Sequence, residues 1–120
     1  MRSGLFAALF AATVVLRALN DSHENGTATL VPEGTRTRVA IVVPQEPPGA
    51  VQPANVHAGR CNSVEGIRYS LNPVRDGRSI STIAVPLYLL QASKFIVVVQ
   101  DSPASLRAAK EYKYVSCGLL

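Results

Sequence analysis

The chain has 120 residues, 12 basic against 8 acidic, and no tryptophan within an aromatic share of 6%. That length holds one domain of about 100 residues beside a targeting segment, with a core that must be mostly aliphatic. A net charge of +4 with no basic run excludes a nucleic-acid interface, which needs a clustered patch.

Met1-Arg2 is a short positive start, and Gly4 to Leu16 is a run of 13 almost wholly apolar residues. The run matches the apolar core of a signal peptide and falls short of the roughly 20 residues that span a bilayer. Residues 1–19 are therefore expected to be a leader, removed on export or kept as a membrane tether, with the mature chain starting between Leu19 and Thr27. Residues 20–26 read as a polar, disordered lead-in where His23 and Glu24 are solvated. Asn25-Gly26-Thr27 fits an N-glycosylation acceptor, which matters only in a eukaryotic secretory pathway.

The domain is expected over residues 27–120. Thr27 to Val31 and Thr35 to Val43 read as a hairpin about Pro32-Glu33-Gly34. Pro44 to Pro53 holds four prolines and a glycine, so it is a crossing loop. Ala54 to Ala58, Ile67 to Leu71 and Ser79 to Val85 are further strands, and Asp76-Gly77 suits a tight connection with positive φ. Pro86 to Gln91 reads as a short helix with Leu87 and Leu90 inward. Phe95 to Val99 is apolar on both faces, as a buried central strand is. Ser102-Pro103 caps a second helix over Ala104 to Lys113, and Tyr114 to Leu120 is the last strand. Seven or eight strands with two helical insertions point to an all-β antiparallel sandwich or Greek-key barrel.

Two cysteines far apart do not make a zinc knuckle, and in a secreted chain an even number reads as a bridge. A Ser-His-Asp triad could be drawn on paper from His57, Asp101 and a serine, but nothing marks a nucleophile elbow. No glycine-rich phosphate loop occurs, and the carboxylates stand singly in polar contexts. No catalytic residue is expected.

Six motifs in order, Gln52-Pro53-Ala54-Asn55-Val56-His57-Ala58-Gly59-Arg60-Cys61, Tyr69-Ser70-Leu71-Asn72-Pro73-Val74, Asp76-Gly77-Arg78-Ser79, Val85-Pro86-Leu87-Tyr88-Leu89-Leu90, Phe95-Ile96-Val97-Val98-Val99-Gln100-Asp101-Ser102 and Tyr114-Val115-Ser116-Cys117-Gly118, carry a resemblance. The chain from Thr27 to Leu120 resembles small secreted bacterial proteins akin to CHRD-domain and copper/zinc superoxide dismutase-like proteins. The resemblance implies a dismutase-like Greek-key barrel, with Cys61 and Cys117 on the two positions of that fold's disulfide. Relatives of this kind carry His-x-His and Val-His-Lys, where this chain has Asn55 with His57, and Gln100 with Asp101. Only His57 matches, and a neutral amide is a poor ligand for copper or zinc. The expectation is a degenerate metal site, with no cofactor and with Asn55, His57, Gln100 and Asp101 as a possible polar ligand cluster. The chain is thus expected to be a secreted or periplasmic, non-enzymatic module for an unidentified extracytoplasmic partner or small ligand. The alternative is a copper-binding protein or a copper/zinc superoxide dismutase-like enzyme.

Overall fold

The computed structural model describes residues 11–107 and 113–120. Ten strands and two short helices follow the order β1 (Ala12–Ala18), β2 (Gly26–Glu33), β3 (Arg36–Val42), β4 (Val51–Gln52), β5 (Ala54–Arg60), β6 (Ser63–Ser70), β7 (Val74–Arg75), β8 (Arg78–Ile83), α1 (Leu87–Ala92), β9 (Phe95–Gln100), α2 (Pro103–Arg107) and β10 (Tyr114–Leu119). All pairings are antiparallel, and the spatial order is β4-β7-β8-β3-β2-β1-β10-β9-β5-β6. The sheet curls at β1, whose first part pairs with β2 and whose last two residues pair with β10. Sheet I runs from β4 to β1 and sheet II from β10 to β6. The chain crosses between them after β4, after β6 and after β8, which is Greek-key connectivity rather than a meander.

Alternation explains the layering, because successive side chains of a strand point to opposite faces. Leu16, Leu30, Val39 and Ile41 of sheet I point inward and meet Val56, Val97 and Val99 of sheet II. Leu87 and Leu90 of α1 close one end of this core, as their spacing predicted. The expected hairpin between β2 and β3 is present, with Gly34 at φ 64°. Asp76 and Gly77, at φ 51° and 76°, make the turn between β7 and β8.

The expected Pro44–Pro53 loop contains the two-residue edge strand β4, and two larger regions also differ from expectation. Ala12–Ala18 is a sheet strand, so part of the segment read as a leader belongs to the sheet. Val14 and Leu16 are buried while Val15 and Arg17 face solvent, and a short apolar run cannot be told from a buried strand by composition. A chain cut between Leu19 and Thr27 would lose β1 and the join between the two sheets. The segment 20–25, read as disordered, is instead the loop of the β1–β2 hairpin and is tied to β10. Ser22 Oγ donates to the Val115 carbonyl at 2.6 Å, Asn20 Nδ2 donates to the Tyr114 carbonyl at 3.0 Å, and Ser116 Oγ donates to the Glu24 carbonyl. The second helix is described only to Arg107; its expected continuation over 108–112 lies outside the described residues.

Candidate functional site

Strand β5 sends Ala54 and Val56 into the core, which leaves Asn55 and His57 on the outer face of sheet II. Asn55 lies opposite Val98 and His57 opposite Ile96 on β9, and Gln100 follows four positions beyond Ile96. Asn55, His57 and Gln100 are all buried. His57 Nδ1 lies 2.7 Å from the Glu65 carbonyl oxygen. A carbonyl only accepts, so Nδ1 carries a proton. Nε2 is buried without a hydrogen-bond partner, and the ring meets Tyr114 edge-on at 6.3 Å.

Gln100 turns toward α2, where its Nε2 sits 3.5 Å from Ser105 Oγ, the outer limit of a hydrogen bond. Asp101 Oδ2 faces Lys113 Nζ at 3.7 Å near the surface. No hydrogen bond joins Asn55, His57, Gln100 and Asp101 to one another among the described residues. By strand parity Asn55, His57 and Gln100 share the outer side of sheet II, while Asp101 follows the end of β9.

A cover lies over this face. Cys61 and Cys117 are disulfide-bonded, with Cα atoms 5.8 Å apart. The bond draws the β5–β6 turn across Ile96 and Val98, where Leu19, Val64 and Tyr114 also pack. Gly59, at φ 101°, permits the tight turn, since a Cβ there would stand 2.5 Å from the Ser63 carbonyl oxygen. The result is a buried histidine holding the irregular β5–β6 pairing, which shifts register on either side of His57.

A second group of buried polar side chains had no sequence signal. Glu24 Oε2 accepts from Gln52 Nε2 at 3.1 Å, while Glu24 Oε1 and Gln52 Oε1 are buried without partners. Burial raises the Glu24 pKa, the Gln52 hydrogen bond opposes this, and the Asp101 charge adds to the rise. A protonated Glu24 would donate to Gln52 Oε1 and relieve both orphaned oxygens at once. Glu46 Oε1 accepts from the Gly77 amide at 2.7 Å. Its pKa is raised by burial against that bond, with Glu24 and Asp76 adding to the rise. Glu24 looks solvated in sequence because its neighbours are polar, and Glu46 because it stands among prolines. Only the tertiary fold buries them. No group of three or more His, Cys, Asp or Glu side chains that could hold a metal ion occurs among the described residues.

Asn25 is exposed, and its Oδ1 accepts from the Ala18 amide at 2.9 Å. Comparison with protein-family models, curated proteins and solved structures finds no match to this chain. The functional reading therefore rests on the residues themselves.

Proposed function

We propose that this chain is an extracytoplasmic, non-catalytic β domain that acts as a binding module and keeps a degenerate metal site of the dismutase-like kind. The carrying observation is the engagement of His57. Its Nδ1 proton goes to Glu65, its ring packs beneath the cover of sheet II, and its immediate strand neighbours offer no second imidazole. His23, the other histidine, lies on the exposed β1–β2 loop. Dismutation needs a redox metal held by several imidazoles, and one ring does not supply that geometry.

The Cys61–Cys117 bond supports an oxidising compartment. Export of a folded domain of this kind requires any removed leader to end before Ala12, because β1 belongs to the sheet. N-terminal sequencing of exported protein checks this, and a mature start beyond Ala18 would contradict it. Among the described residues no helix is long and apolar enough to cross a membrane.

The copper reading has one observation in its favour, the unpartnered Nε2 of His57. Titration of the oxidised full chain with copper and with zinc separates the two readings. The module reading expects far less than one ion per chain, and stoichiometric copper would overturn it. Asn55→His with Gln100→His should then gain copper affinity over wild type. No gain in a correctly folded double variant would contradict the dismutase-like strand alignment.

A further inference from the structure

Among the described residues, nothing on the outer face of sheet I corresponds to the cover on sheet II. Val15, Val42 and Ile80 project from it with 55%, 36% and 60% of their surface exposed. The pairings Val15 with Thr27, Thr27 with Val42, and Val42 with Arg78 set Val15 and Val42 in one row across four strands, with Thr27 between them. Ile80 stands in the next row, opposite Ala40. Isolated apolar residues on a surface mean little, but a contiguous patch rimmed by charge marks an interaction site.

The charge on this face is mainly positive. Arg78 ends the row on β8, and Arg17 lies two residues beyond Val15 on β1. Arg36 and Arg38 project from β3 on the same side. The acid among them is Glu33, which stands 3.6 Å from Arg38 in an exposed pair. Arg17, Arg36 and Arg78 have no ion-pair partner among the described residues. Size narrows the occupant further. Four strands about 4.8 Å apart, with three outward positions each, give a face of roughly 20 Å by 20 Å including side chains. That is about half of the roughly 800 Å² that a stable protein partner usually covers on each side. A second copy stacked face to face would also oppose arginines to arginines. An uncharged segment would leave the guanidinium groups unanswered, and a purely anionic chain would waste the valine and isoleucine side chains.

We infer that the outer face of sheet I docks a short acidic peptide segment whose apolar side chains lie over Val15, Val42 and Ile80 while its carboxylates meet Arg17 and Arg78. This deepens the binding-module reading and rests on it. The segment lies across the face, so its contacts are made by side chains rather than by a free strand edge. Charge on both flanks orients it and raises the encounter rate, and added salt weakens it.

The test uses the oxidised full chain and a short synthetic peptide alternating glutamate with valine. Peptide addition should shift the backbone amide resonances around Val15, Val42 and Ile80, and added salt should weaken binding. Arg17→Glu with Arg78→Glu should lower affinity about tenfold or more, since two attractive contacts become repulsive. Arg60→Glu with Arg68→Glu, which makes the same change in net charge on sheet II, should lower it by less than about threefold. Equal losses in the two pairs, no shifts on this face, or a concentration-dependent dimer that occupies it would overturn the proposal. Shifts confined to another surface would overturn the face and leave the binding module standing. Stoichiometric copper would overturn the module reading and leave this face to be judged by its own shifts.

Discussion

The two outer faces of this molecule are built by the same alternation and end in opposite states. On sheet II the outward residues Asn55, His57, Ile96 and Val98 are buried, because the disulfide-held β5–β6 turn and Tyr114 lie across them. On sheet I the outward residues Val15, Val42 and Ile80 stay in solvent, because nothing described crosses them. A period of two in the sequence therefore fixes which residues leave the core. It does not fix whether they meet water. On β5 and β9 the turn held by the Cys61–Cys117 bond, together with Tyr114, decides that.

The largest expected effect comes from removing this bond. Cys117→Ala opens a loop spanning 56 positions, and the chain-entropy model puts the loss at about 4 kcal/mol. The same variant should let the β5–β6 turn lift, so His57 loses its cover and sheet II comes to resemble sheet I. Denaturant unfolding measures the first effect. A change in the His57 ring resonances measures the second, and their persistence unchanged would break the comparison.

The join between the two faces is the next target. Leu16 is fully buried in β1, so Leu16→Ala should cost about 3 kcal/mol in the unfolding free energy. If β1 were a discarded leader, the exported chain would feel no effect. This variant also shows what was readable in advance. The strands around Val39, Val56 and Val97, the Asp76-Gly77 turn, the inward Leu87 and Leu90, and the all-β class follow from periodicity and turn chemistry. Strand β1 does not, because Gly4 to Leu16 satisfies a signal-peptide core and a buried strand alike. The Asn20 to Asn25 loop reads as disorder because its order comes from β10, almost a hundred residues away. Of the expected polar cluster, the shared side of Asn55 and His57 follows from strand parity. The Gln100 contact with Ser105 depends on α2, and the cover over His57 on the fold.

Glu24 gives a smaller effect with a defined sign. Its folded pKa is raised above the unfolded value by burial, with a further contribution from Asp101. Its favourable contribution is fully present below the unfolded pKa and is lost as pH rises through the folded one. Glu46 acts in the same direction. Glu24→Gln should therefore flatten the fall in stability as pH rises from the acid range to neutrality and be the more stable protein at neutral pH. Urea unfolding of both proteins across that range provides the check, and an unchanged slope would contradict the buried acid.

The smallest expected effect concerns the open face alone. Val15→Ala and Ile80→Ala should each change stability by less than about 0.5 kcal/mol, because their side chains already meet water. A cost near that of Leu16→Ala would mean that something covers sheet I.

The contrast between the faces is tested most directly by methyl NMR of the oxidised chain with a soluble paramagnetic agent. The account predicts strong broadening of the Val15, Val42 and Ile80 methyl signals and protection of Ile96 and Val98. After mild reduction of the disulfide, Ile96 and Val98 should broaden while sheet I is unchanged. Equal broadening of both faces in the oxidised chain, or protection of sheet II that survives reduction in a folded protein, would contradict it.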